Sequence, residues 1–90
     1  MILLNSNVKG KRYAVRVDGK LVNFGSDSYD NYTMHKDPKR KNNYISRHRK
    51  REHWDNPKTA GFWSRWVLWN KPSLSRSFSD AVKKAEKLLK

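Results

Sequence analysis

Between Lys11 and Phe24 apolar and polar side chains alternate almost one for one, with Tyr13, Val15 and Val17 in one run and Val22 and Phe24 in the next. A period of two is the signature of a half-buried strand. The runs are separated by Asp18-Gly19, the kind of pair that accepts positive φ at both central turn positions, so residues 11–24 read as a β-hairpin. A two-residue turn sets Val15 opposite Val22 and Tyr13 opposite Phe24 on one side of the ribbon. Arg16 and Lys20 are left toward solvent, and Gly25 is expected to close the hairpin. A lone hairpin is marginal in water, so this apolar side must be covered.

Residues 25–36 lack helical periodicity and read as a loop, with a short third strand near Asn31 to His35 as its candidate element. Asp37-Pro38 is a helix start, an N-cap carboxylate followed by proline at the first helical position. The helix is expected over 38–54 and is stopped by Asn56-Pro57. Thr59 can cap a second helix over 59–69, where Phe62, Trp66 and Trp69 recur at i, i+4 and i+7 with Trp63 and Val67 beside them. A buried strand through Trp66-Val67-Leu68-Trp69 is the rival. A third helix is expected over 76–89, with Phe78, Val82, Ala85 and Leu89 as its apolar stripe, Ala81 and Leu88 alongside, and Lys83, Lys84, Lys87 and Lys90 facing away. Asp80 is placed to start it. The elements add up to a single α+β domain over 1–90: a small antiparallel hairpin or three-stranded sheet packed with about three helices.

Ninety residues allow one core. Hydrophobic residues make up 36% of the chain, but four Trp, four Tyr and three Phe supply large buried area each, so a thin aromatic core is expected rather than a disordered tail. The absence of cysteine excludes a disulfide framework, a thiolate zinc site and a thiol nucleophile. No apolar run approaches the roughly 20 residues that span a bilayer, and Met1-Ile2-Leu3-Leu4 is too short for a signal peptide. The expected location is the cytosol or nucleus.

Charge changes the picture most. Twenty-one Lys and Arg face eight Asp and Glu, a formal net charge of +13. Self-repulsion at this density opposes the compact state, and a polyanion would relieve it. The cations concentrate at 38–51, where Lys39, Arg40, Lys41, Arg47, Arg49, Lys50 and Arg51 occur with no acid. Only Tyr44, Ile45 and His48 can face a core there, so basic groups cover most of the remaining circumference, strained by like-charge neighbours at i+3 and i+4. Either this is a solvated basic face or it holds phosphates or carboxylates. Arg47, Lys50 and Arg51 are the preferred contacts, Arg being able to hold an anion with two parallel bonds. Arg65 extends the candidate set. Trp63, Trp66 and Trp69 form a second candidate. Their bland reading is core; the alternatives are partner docking and stacking on unpaired bases.

Catalytic patterns are missing. His35, His48 and His53 form no i,i+4 metal pair, no nucleophile elbow or phosphate loop occurs, and the carboxylates are scattered. His35-Lys36-Asp37 could suggest acid–base chemistry, but Asp37 is explained as a helix cap. No enzyme activity, metal or cofactor is expected.

The stretches Tyr32-Thr33-Met34-His35-Lys36-Asp37, Tyr44 to Glu52, and Thr59 to Pro72 with its block Gly61-Phe62-Trp63-Ser64-Arg65-Trp66-Val67-Leu68-Trp69-Asn70-Lys71-Pro72 resemble a small uncharacterised basic protein family of nucleocytoplasmic large DNA viruses. The resemblance spans roughly 11–80 and implies a virion, or the host cytoplasm or nucleus during infection. It carries no catalytic residues across. The expected function is non-enzymatic: a virion-associated basic protein binding nucleic acid, DNA before RNA. The alternative is a minor capsid or cement protein, a structural protein contacting acidic viral structural proteins.

Overall fold

The computed structural model describes residues 1–90, and the hairpin pairs in it as its alternation dictates. Strands β2 (Lys11–Val17) and β3 (Lys20–Ser26) are antiparallel, with Tyr13 opposite Phe24 and Val15 opposite Val22. Asp18 and Gly19 take φ of 48° and 82°, the mirror-image turn that matches strand twist. The third strand is not at 31–35. It is β1 (Leu4–Asn5), which joins the other edge of β2 with Leu4 opposite Ala14. Asn31 instead caps a single helical turn, α1 (Tyr32–His35), its side-chain oxygen accepting the Thr33 N–H at 3.1 Å.

Strand β3 also continues past Gly25, which lies inside the strand at φ 81° rather than closing it. There a Cβ would stand 2.7 Å from Leu68 Cδ1. The missing side chain admits the aromatic helix that covers the sheet.

That cover begins at α3 (Ala60–Trp63), capped by the Thr59 hydroxyl, and continues as a π-helical turn, Ser64–Leu68. The strand alternative for Trp66–Trp69 is thereby overturned. So is the i, i+4, i+7 stripe. The Trp69 N–H reaches back five residues to the Ser64 carbonyl at 3.2 Å, and this wide turn stacks residues five apart. Phe62 with Val67 and Trp63 with Leu68 are therefore the buried pairs, while Trp66 and Trp69 are only half-buried. Trp63 is completely enclosed. It packs edge-on to Phe62 at 5.1 Å, and its indole N–H donates to the Pro57 carbonyl at 2.6 Å.

Helix α4 (Leu74–Leu88) starts two residues before the expected Arg76, because Ser73 rather than Asp80 is its cap. Its buried line is Ser77, Ala81 and Ala85, rotated from the predicted stripe, with Phe78, Val82 and Leu89 as flanks. Small residues on that line let α4 lie close against the π-helical turn. The Ser77 hydroxyl accepts the Lys71 N–H at 3.0 Å and donates to the Lys71 carbonyl at 3.1 Å, fastening the connection. Asp80 sits within the helix and takes a hydrogen bond from Asn70 at 2.7 Å. Burial pushes its carboxyl upward, but Asn70, Lys84 and Lys71 outweigh that and hold it below the ordinary range.

The core thus joins Val15, Val17, Val22 and Phe24 of the sheet to Phe62, Trp63, Val67 and Leu68, with Ala81 and Ala85 behind. The α+β class and single globule hold. Gly25→Ala is expected to destabilise the protein by about 1–3 kcal/mol, from overpacking against Leu68 and from the positive φ. Gly10→Ala, at φ 86° with nothing within 4 Å of the added Cβ, should cost less. Urea denaturation of both variants measures the difference.

Candidate functional site

The basic helix is α2 (Pro38–His48), six residues shorter than the expected 38–54. Its start is as predicted: Asp37 Oδ1 accepts the Lys39 N–H at 3.0 Å, with Pro38 next. Its end differs because the Arg51 and Glu52 N–H groups both turn back to the His48 carbonyl, at 3.0 Å each. Continuing the helix would stack Arg47, Lys50 and Arg51 at repelling spacings. Beyond the turn the Glu52 carboxylate lies 3.2 Å from His48 Nδ1, four residues back, and accepts the Trp54 indole N–H at 2.8 Å.

Tyr44 is the only buried residue of α2. Its ring lies 4.4 Å from Trp69, nearly parallel at 4°, and His48 stacks on it at 4.2 Å. Two rings that close and that parallel cannot share a face, so the order is His48, Tyr44, Trp69. His35 adjoins the far end, 5.4 Å from Trp69. Burial, then the Glu52 carboxylate, push the Tyr44 hydroxyl well above its ordinary pKa, against the opposing pull of Arg65, so it stays neutral.

The structure divides the predicted cations. Lys39, Arg40, Arg47, Arg49, Lys50 and Arg51 are exposed. Lys41 is half-buried, donating to the Asn70 carbonyl at 2.6 Å and lying 5.0 Å over Tyr32. Burial, with Arg65 and Lys71 nearby, lowers its pKa. Arg65 turns inward too: Nη1 donates to the Trp69 carbonyl at 2.6 Å, and its guanidinium lies 4.2 Å over Trp66 and 5.3 Å over Trp54. Lys41 and Arg65 are therefore built into the scaffold, where their charge supports aromatic packing. Of the docking candidates, Trp63 is in the core and out of any partner's reach. Trp66 carries Lys84 at 4.6 Å as well as Arg65, and Trp69 is committed to Tyr44.

A cleft of about 1050 Å³ lies between α2, the segment after β3 and the π-helical turn. Arg40, Asn43, Tyr44 and Arg47 reach it from α2, at the i, i+3, i+4 and i+7 spacing of one helical face. His48 joins them, Lys11 faces them from the sheet, and Asp30 and Glu52 are the acids within it. Lys11, Asn43 and the ring-orienting Glu52 are absent from the sequence-based set. The i,i+4 relations Tyr44–His48 and His48–Glu52 were the signal that could have found the last of these. No three His, Asp or Glu side chains converge as a metal site.

Fold and cleft together define a small basic α+β domain with an aromatic floor beneath a cationic helix. The chain belongs to a family of unknown function, DUF5754, whose model matches residues 1–48 and so covers the sheet, α1 and all of α2, stopping before the Trp-rich block. No curated protein and no solved structure matches the chain.

Two predictions arise from these contacts. Tyr44→Ala should cost about 3 kcal/mol by emptying the stack, whereas Tyr44→Phe, which keeps the ring, should stay within about 1 kcal/mol of the wild type; urea melts compare them. The second concerns His35, whose Nδ1 accepts the Asp37 N–H at 3.0 Å while Nε2 is buried without a partner. Burial and Arg40 lower its pKa from 6.5, against Asp37 and Asp30. The unfolded chain therefore takes up the proton more readily, and stability falls as pH drops below about 6.5. His35→Asn should flatten that loss, read as the change in urea midpoint between neutral and mildly acidic buffer relative to the wild type.

Proposed function

We propose that the chain is a non-catalytic nucleic-acid-binding protein that holds phosphates along α2 and the turn behind it. One observation carries this reading. Of 21 Lys and Arg, only Lys58 and Lys84 lie within ion-pair distance of a carboxylate, at 3.8 and 3.6 Å. Arg40, Arg47, Arg49, Lys50 and Arg51 stand exposed on consecutive stretches of chain with no acid of their own. Phosphates would supply the compensation that the sequence lacks, and the guanidinium groups are suited to bidentate contact.

A second reading, docking on an acidic structural protein, is favoured by exposed Leu4 and Leu21 on the sheet face away from the core. Apolar centres of that kind typify protein interfaces, and their affinity survives salt.

For duplex DNA, neutralising four to six phosphates should make log affinity fall with log salt at a slope of roughly −4 to −5. Arg47, Lys50 and Arg51 changed together to Ala should flatten the slope by roughly 3 while leaving the fold intact. Fluorescence anisotropy across a salt series reads both. An unchanged slope removes this surface as the contact, and salt-resistant binding to an acidic protein with none to DNA favours the docking reading.

A further inference from the structure

We propose that the cleft seats one unpaired base of a single-stranded nucleic acid, stacked on the open face of His48, with neighbouring phosphates held by Arg40 and Arg47. This rests on the phosphate-binding reading and narrows it to single strands.

The ring column ends in the cleft. Trp69 occupies one face of Tyr44 and His48 the other, so the next position in the stack is the far face of the His48 imidazole. That side chain is 39% exposed and borders the cleft. The Glu52 carboxylate, 3.2 Å from Nδ1, fixes the ring before any ligand arrives. A pre-oriented aromatic surface at the end of a stack is what a base can extend, and every base offers a π-face.

The surrounding groups match the rest of a nucleotide. Arg40 and Arg47 are seven residues apart on α2, about 10 Å along its axis, and both reach the cleft on either side of Asn43. The Asn43 amide offers both a donor and an acceptor to a base edge. In a duplex both faces of every base are stacked and only the groove edges stay open, so Asn43 could still find an edge but His48 would find no free face. Base reading in a duplex by a helix uses the major groove, whereas Arg40 and Arg47, though exposed, border a concavity whose floor is aromatic.

The test compares wild-type affinity for a short DNA strand, the same strand with every base removed, and a duplex of equal phosphate number, by fluorescence anisotropy at one salt concentration. The base-bearing strand should bind at least about fivefold more tightly than the abasic one. His48→Ala should bring that ratio close to one, and His48→Phe, which keeps a stacking ring, should preserve it. Equal affinity for abasic and base-bearing strands, or tighter binding of the duplex, overturns the single-strand inference and leaves the phosphate reading standing. Failure to bind any of the three overturns both.

Discussion

A single ring ties the cationic helix to the rest of the protein. α2 buries only Tyr44, and that side chain lies flat on Trp69, at the end of the helical segment that covers the sheet. Lys41 adds one hydrogen bond to the same neighbourhood through the Asn70 carbonyl. An eleven-residue helix with clustered like charges has little intrinsic stability. The stack therefore supports the geometry of the cleft, the placement of His48 and the display of Arg40 and Arg47. Aromatic contact suits this task, since it provides large dispersion area at one point while the rest of the helix stays wet.

The same economy runs through the core. Among five Val and Leu side chains of the core, Trp63 is the centre, meeting Phe62 at 5.1 Å and Phe24 at 6.3 Å. The indole N–H groups of Trp63, Trp66 and Trp54 are satisfied locally, on the Pro57 carbonyl, the Trp54 carbonyl and the Glu52 carboxylate respectively. The Trp-rich block is thus mainly structural. Its contribution to the cleft is indirect, through Trp69 beneath Tyr44. The cations sort in the same way: Lys41, Arg65 and Lys84 lie over rings, while Lys39, Arg40, Arg47, Arg49, Lys50 and Arg51 face water.

Local chemistry was legible and long-range chemistry was not. The hairpin register followed from alternation and the Asp18-Gly19 turn, and the Asp37 and Thr59 caps followed from their side chains. β1 was hidden because Leu4 and Asn5 become a strand only when the β2 edge is available. The end of α2 was missed because like-charge crowding of Arg47, Lys50 and Arg51 opposes helix continuation, a cost that periodicity does not register. The wide turn after Trp63 was missed because helical wheels assume a constant pitch. At the site, the free cations on α2 were visible from charge alone. Lys11 and Asn43 were not, since their position depends on how the sheet and helix face each other across the cleft.

That wide turn makes spacing, and not only residue type, a determinant of the site. The wide turn bonds residues five apart rather than four, so a change in the number of residues between Phe62 and Trp69 would re-aim the latter ring relative to Tyr44, even with every aromatic retained. The segment should therefore accept exchange of side chains on its outer surface more readily than a change in its length. A one-residue deletion there would disturb the cationic helix and the cover of the hairpin together, since Val67 and Leu68 belong to the same turn.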